Sequence, residues 1–229
     1  MSTSENRSGI AVTSDFICPW CWIGYQHLKT AVQQFEQAGG QPAPAIRFLP
    51  FELNPDMPVQ GMQRRDYRSA KFGSWARSQA MDAEVASAGL QAGVQFNYGQ
   101  VEVTPNTRLA HRLMVFAQLA GNASMAGKLY EAIFAAYFSR GQDIGRVKVL
   151  AEVAAAVGYD GAQVAAWLAG DGGRAEVMRE ELQAHASQVH SVPTVGIGGV
   201  VLTGARGVSA FARALEGVTS ATPAMPTVA

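Results

Sequence analysis

Cys18 and Cys21 are the only cysteines in the 229-residue chain, and they stand as Cys-x-x-Cys inside Asp15-Phe16-Ile17-Cys18-Pro19-Trp20-Cys21-Trp22. Thiols at this spacing suit disulfide exchange: one sulfur attacks, and the other resolves the mixed disulfide that forms. The competing readings are half of a zinc site or a pair of inert thiols. Structural zinc commonly takes four Cys or His ligands. No second cysteine pair exists, and His27, His111, His185 and His190 show no ligand spacing. Redox chemistry is therefore the better reading, with no metal. Trp20 lies between the two thiols, where it tunes their potential. Asp15 either assists proton transfer from Cys21 or closes a turn, and the turn is favoured. Trp22 is balanced between a role at the site and plain packing.

The neighbouring residues must position these thiols. Gly9 to Ser14 alternates β-branched residues as a short buried strand does. Beyond the cysteines, Leu28, Val32 and Phe35 recur at helical spacing, with Ile23 and Ala31 near the same stripe. The pair thus sits where a strand ends and a helix begins. A helix N-terminus presents unpaired N–H groups and the positive end of its dipole, which favours a thiolate. Pro19 fits the first helical turn, where its missing N–H costs nothing. Cys18 is accordingly read as the nucleophile and Cys21 as its resolving partner.

Farther along, Gly39-Gly40 stops the helix, and Ile46 to Phe51 reads as a second buried strand ended by proline. Strand, helix and strand make a βαβ unit with parallel strands. Glu52 to Gly61 is a loop rich in Pro, Asn and Gly. From there to Val189 the pattern is mainly helical. A helix spans Arg64 to Ala88, interrupted at Gly73, and Gly89 to Val103 is irregular, with Phe96 and Tyr98 packing on the helical layer. Thr104-Pro105 reads as an N-cap and first helical position. Leu109, Leu113, Phe116 and Leu119 form that helix's apolar face. Ser124 caps the next, which turns Met125, Leu129, Ile133 and Tyr137 inward. Val147 to Val157, Ala162 to Leu168 and Arg174 to Val189 make three more. Met178, Leu182, His185 and Val189 share one stripe, so His185 is read as a packed or interface histidine. Thr194 to Ile197 and Val200 to Thr203 flank Gly198-Gly199, the signature of a tight hairpin. Val195-Gly196-Ile197-Gly198-Gly199 lacks the following helix that a phosphate loop needs. A helix through Val208, Phe211, Ala212 and Leu215 ends at Gly217, leaving residues 1–8 and 218–229 as flexible tails.

Composition narrows the function classes. Hydrophobic residues make up 48% of the chain, enough for a substantial core. Net charge is zero, which removes the electrostatic footprint of a nucleic-acid or membrane-surface binder. No apolar stretch has the length and freedom from charge of a membrane span. The first eight residues lack the apolar region of a signal peptide, so a cytoplasmic location is expected. Reducing cytosol disfavours a structural disulfide.

The element order is β-α-β, a long helical insertion, then β-β-α. That is the order of an α/β thioredoxin-like fold, and Cys-x-x-Cys beside a βαβ pattern points the same way. The chain resembles the DsbA-type thioredoxin-fold oxidoreductases, in particular the cytoplasmic FrnE-like branch. The resemblance rests on Asp15 to Gly24, Phe51 to Pro58, Asn106 to Leu113, Ala136-Tyr137-Phe138 and Val192-Pro193-Thr194, and it spans about residues 10 to 216. It implies a thioredoxin-like domain built from residues 9–60 and 190–217, and a large all-helical insertion over residues 61–189 lying on the active-site face. It also implies a cis peptide at Val192-Pro193 facing the cysteines. Proline there cannot donate a backbone hydrogen bond, which leaves the Val192 backbone free to pair with a substrate. His190, close to that loop, either lines the site or faces solvent. Relatives typically carry glycines just before Val-Pro-Thr, whereas this chain has Gln188 and Ser191. With Pro19-Trp20 between the cysteines there is no imidazolium to stabilise the Cys18 thiolate, so a thiol less acidic than that of the strongly oxidising members is expected. Asn54 and Asn106, in matching motifs, also suit plain turn and cap roles.

Three functions are then in competition. The first is a thiol–disulfide oxidoreductase with no tightly bound cofactor, acting on a disulfide- or thiol-containing protein or small molecule, with glutathione or another thiol as redox partner. The second is a glutathione-dependent isomerase or transferase-like enzyme acting on an aromatic or polyketide intermediate. A peptide-binding helical module with vestigial cysteines ranks last. Two cysteines favour the first, because activating glutathione's own thiol requires only one group.

Overall fold

The computed structural model describes residues 9–39 and 42–220. Strand β1 (Ile10–Ser14) leads into α1 (Pro19–Gln37) and β2 (Ile46–Pro50). A second segment carries β3 (Met62–Gln63), α2 (Arg64–Phe72), α3 (Trp75–Gln91), a single 3-10 turn at Tyr98–Gln100, and β4 (Val103–Thr104). Helices α4 (Arg108–Leu119), α5 (Ala123–Phe138), α6 (Val147–Val157), α7 (Gly161–Ala169) and α8 (Arg174–Ala186) follow. The chain closes with β5 (Thr194–Ile197), β6 (Val200–Thr203) and α9 (Val208–Ser220).

The main sheet has the order β2-β1-β5-β6, with β2 parallel to β1 and the β5-β6 hairpin antiparallel to it. Val12 on the inner strand faces Phe48 on one side and Val195 on the other. Ile10 and Val12 are buried, as a strand covered by helices requires. Gly198 and Gly199 both adopt positive φ, the geometry of the two-residue hairpin turn. The fold is the thioredoxin-like arrangement that the element order predicts, with the long, mainly helical segment inserted between β2 and β5.

One aromatic seam joins sheet and helices. Phe16 lies 5.0 Å from Phe134 and 5.4 Å from Tyr130, and Trp22 stacks on Phe134 at 6.0 Å. Ring pairs of this kind add about 0.5–1.5 kcal/mol each beyond their burial. The segment ending in the dithiol is thus anchored on α5.

Several local expectations are corrected. Residues 61–189 are not all helical: Met62 and Gln63 pair antiparallel with Thr104 and Val103. Gly61, at φ 75°, lets this ladder close, because a Cβ there would meet the Thr104 carbonyl at 2.7 Å. Thr104 therefore sits in a strand rather than capping a helix. The start of α4 moves to Arg108, whose N–H donates to Asn106 Oδ1 at 3.0 Å. Asn122, not Ser124, caps α5 by accepting the Met125 N–H. Leu119 of α4 is exposed, and so are Met178 and Leu182 of α8, which buries Val177 and Ala184 instead; His185 still rests against the buried Phe51, with ring centroids 5.3 Å apart. Helix α9 runs on to Ser220, past Gly217. Of the expected tails, residues 218–220 are the last of α9, and residues 1–8 and 221–229 lie outside the described residues. Gln188 occupies the left-handed region at φ 57°, at one of the positions where relatives place glycine.

Candidate active site

Cys18 is the N-cap residue of α1, in extended backbone conformation, with Pro19 opening the helix. Its N–H donates to the Asp15 carbonyl at 3.0 Å, and its own carbonyl accepts the Cys21 N–H at 3.1 Å. One helical turn separates the two sulfurs' environments. Cys18 keeps 7% of its surface and lines an open cleft, whereas Cys21 is fully buried behind it. Both are free thiols. Burial pushes the Cys21 thiol well above its ordinary pKa, and the Cys18 side chain, hydrogen-bonded to it and adding charge, pushes the same way.

The Val192-Pro193 peptide is cis, and the Cys18 thiol donates to the Val192 carbonyl at 3.7 Å. Helix α1 comes close to this loop because residue 24 is glycine. A Cβ at Gly24 would lie 3.2 Å from Pro193 Cγ and 3.3 Å from Ala205 Cα. The loop is further held by the Gly204 N–H, which donates to the Pro193 carbonyl at 2.8 Å.

Behind the thiols lies a buried charged group. Asp15 is fully buried and its Oδ2 accepts the Leu53 N–H at 2.7 Å. Its Oδ1 stands 3.4 Å from Nε2 of the buried His111, yet neither atom has an aligned hydrogen bond. The His111 ring also rests against Phe16, with centroids 5.2 Å apart. Next outward, the Glu52 carboxylate accepts from Arg108 Nε at 2.8 Å and Nη2 at 3.1 Å. Burial raises the pKa of Glu52, while the hydrogen bond from Arg108 opposes the rise.

In front of Cys18 an open cleft separates the dithiol from α2 and α3. Trp20 and Leu53 form its outer edge, each more than a third exposed. Its helical wall carries Arg64, Arg68, Lys71 and Tyr67, against one carboxylate, Asp82. Arg64 Nη2 reaches both Asp82 oxygens, at 2.9 and 2.8 Å, and Arg68 Nη2 reaches Oδ1 at 3.0 Å. Arg64 is sandwiched between the rings of Tyr98 and Trp75, 4.9 and 5.6 Å from their centroids. Lys71 Nζ donates to Tyr67 Oη at 2.7 Å and to Asn54 Oδ1 at 3.1 Å. The result is a site with aromatic walls, a surplus of positive charge and one accessible sulfur. Among the described residues no group of three His, Cys, Asp or Glu could hold a metal ion.

Cys18, Cys21, Pro19, Trp20, Val192 and Pro193 thus come together at the head of α1. Asp15 joins them from behind, holding the turn through Leu53 while also facing His111. Trp22 packs: besides Phe134 it meets Phe96 edge-on at 5.3 Å and does not line the cleft. His190 is exposed and outside the cleft lining. The sequence reading missed Gly24, His111 and the Arg64–Arg68–Asp82 cluster. His111 sits in the motif Asn106 to Leu113, but a lone histidine on an apolar helix face carries no sign of a distant carboxylate. Arg64, Arg68 and Asp82 look like ordinary charges on amphipathic helices.

Comparison with known proteins agrees with this geometry. The DSBA-like thioredoxin domain model matches residues 10–216. The uncharacterized protein YwbO of Bacillus subtilis is 31% identical over 210 residues, covering 90% of this chain and 95% of its own. Among solved structures, the probable DsbA oxidoreductase SCO1869 from Streptomyces coelicolor superposes with a TM-score of 0.82 at 22% identity, covering 96% of this chain and 93% of its own. The cytosolic disulfide reductase DsbM from Pseudomonas aeruginosa with GSH gives a TM-score of 0.61 at 16% identity, covering 93% and 96%. The chain belongs to the DSBA-like thioredoxin domain family, and with both cysteines in place at the head of α1 it is a thiol–disulfide oxidoreductase.

Proposed function

We propose that Cys18 is the attacking sulfur and Cys21 the resolving one, and that the substrate is a small disulfide or thiol bearing carboxylates, with glutathione as the redox partner. The observation that carries this reading is the asymmetry of the pair: Cys18 opens into the cleft, and Cys21 is sealed behind it. A disulfide entering the cleft meets Cys18 first. The thiolate attacks one sulfur and expels the other half as a thiolate. Cys21 then attacks Cys18, the second half leaves, and the enzyme becomes the disulfide while the substrate has gained two electrons as two thiols.

Arg64, Arg68 and Lys71 against the single Asp82 favour negatively charged substrates, and Trp20, Tyr67 and Phe72 supply apolar contact. The Val192 carbonyl beside Cys18 offers an acceptor to an amide of the substrate. Glutathione has this chemistry, and the DsbM structure contains it. A cytoplasmic location suits a dithiol kept reduced by such a pool. No helix among the described residues is long and apolar enough to cross a membrane.

Trapping tests the assignment. Cys21→Ala mixed with oxidised glutathione should accumulate a mixed disulfide at Cys18, seen as an added glutathione mass that dithiothreitol removes. Cys18→Ala should trap little. Equal trapping by both variants would reverse the polarity. No trapping by either, with glutathione bound noncovalently and a small-molecule substrate still turned over by Cys21→Ala, would favour the isomerase.

A further inference from the structure

The resolving step needs a base, because Cys21 is buried and must lose its proton before it can attack. We propose that His111 is the relay through which this proton leaves: from Cys21 to the Asp15 carboxylate, from Asp15 Oδ1 to His111 Nε2, and outward toward Glu52. The inference rests on disulfide exchange at Cys18 and Cys21. Asp15 lies directly behind the dithiol: its backbone carbonyl accepts the Cys18 N–H at 3.0 Å, and its carboxylate is fully buried. His111 acts through Asp15 and is a positioning residue.

Two observations carry the proposal. Asp15 Oδ1 and His111 Nε2 are both buried, both lack an aligned hydrogen bond, and lie 3.4 Å apart. Leaving a buried polar atom unpaired costs about 1–3 kcal/mol, so these two atoms, facing each other at 3.4 Å, are each other's available partner. A short reorientation turns the contact into a hydrogen bond, as catalytic contacts tighten during reaction. The second observation is continuity. Glu52 precedes Leu53, whose N–H donates to Asp15, and its partner Arg108, one turn before His111 on α4, extends to the surface with 39% of its side chain exposed. Tyr130 and Ser14 border the same small cavity as the His111 ring, on the side of α5 and β1. Glu181 of α8 is engaged by the Glu52 N–H at 2.8 Å.

The step balances. In the mixed disulfide Cys18 carries the substrate sulfur. The Cys21 proton passes to Asp15 and is shared with His111. The Cys21 thiolate forms a bond to Cys18 as the Cys18–substrate bond breaks, and the departing thiolate takes a proton from water. The oxidising direction runs these transfers in reverse.

Stopped-flow reaction of the reduced protein with dithiobis(nitrobenzoate) separates the two steps, since attack by Cys18 releases one coloured thiolate and resolution by Cys21 releases the other. A wild type that releases neither refutes the exchange reading itself. With wild-type exchange intact, His111→Gln should leave the first phase within about 2-fold and slow the second by roughly 10²-fold, the contribution typical of a positioned base. The slowed phase should recover as pH rises and hydroxide takes over. Asp15→Asn should match it, and the double variant should be no slower, because the two act as a unit. In wild type the second phase alone should slow in heavy water, a measurement that needs no folded variant. An unchanged second phase in His111→Gln, both phases slowed in parallel at every pH, or no heavy-water effect on wild-type resolution would each overturn the relay.

Discussion

Asp82 offers a direct test of what holds the helical wall over the dithiol. Its carboxylate accepts three hydrogen bonds from Arg64 and Arg68, whose side chains are only 4% and 17% exposed. Asp82→Ala leaves two guanidinium groups facing each other with no counter-charge. Three charge-assisted hydrogen bonds represent about 5–9 kcal/mol gross, at roughly 1.5–3 kcal/mol each. Water entering from the open cleft offsets part of this for Arg68, which also keeps Ser78 Oγ as a partner. Removing one member of a buried ion pair typically costs about 3–5 kcal/mol, and the lower end, about 3 kcal/mol, fits a pair at a cleft wall. For a chain of this size that is a fall in Tm of about 6–12 °C. Urea unfolding of the reduced protein, with the m-value unchanged, reads the same loss. The cost should lie in the stranded charge rather than in the lost contact, so Arg64→Met combined with Asp82→Leu should recover more than half of it. A single variant within about 1 kcal/mol of wild type, on the scale of an exposed pair, would refute the reasoning. So would a double variant no more stable than Asp82→Ala.

Two further predictions follow from other parts of the site. Gly24→Val should push the cis-proline loop away from α1, because even one added carbon meets Pro193 and Ala205 at 3.2–3.3 Å. Disulfide reduction should fall about 10²-fold, the cost of roughly a 1 Å misplacement, while circular dichroism still reports a folded protein; native rates would show that the loop tolerates the shift. Alkaline pH should destabilise the reduced protein in two stages. Folded Cys21 holds a proton that the unfolded chain releases near pH 8.5, so its stabilisation is complete below that value and is lost as pH rises, by about 1.4 kcal/mol per pH unit. Buried Tyr25, Tyr98, Tyr130 and Tyr137, all raised chiefly by burial, extend the loss above about pH 10. The disulfide form and Cys21→Ala should lack the first stage in pH-dependent urea midpoints, and an identical slope in all three would remove Cys21 as its cause.

The sequence by itself determined what depends on neighbours along the chain. Alternation in Ile10 to Ser14, helical spacing after Pro19 and the Gly198-Gly199 turn specify elements through local backbone preferences, so the junction holding Cys18 and Cys21 could be read directly. The cis bond at Val192-Pro193, now seen against Cys18, was different: no local preference pointed to it, and only the family resemblance implied it. Only the tertiary structure decided which distant groups share a buried space. Thr104 carries a helix-start signal followed by proline, yet pairing with Met62 places it in a strand; α4 starts at Arg108, whose N–H is taken up by Asn106 Oδ1. Met178 and Leu182 recur at helical spacing, but α8 is rotated to bury Val177 and Ala184, so an apolar stripe became a surface. His111 and Asp15 meet because α4 and the β1–α1 turn pack on one core, and Arg64 finds Asp82 because α2 folds back on α3 at Gly73. A charge's partner is chosen by the packing of segments far apart in the chain, which leaves no periodic trace in either segment.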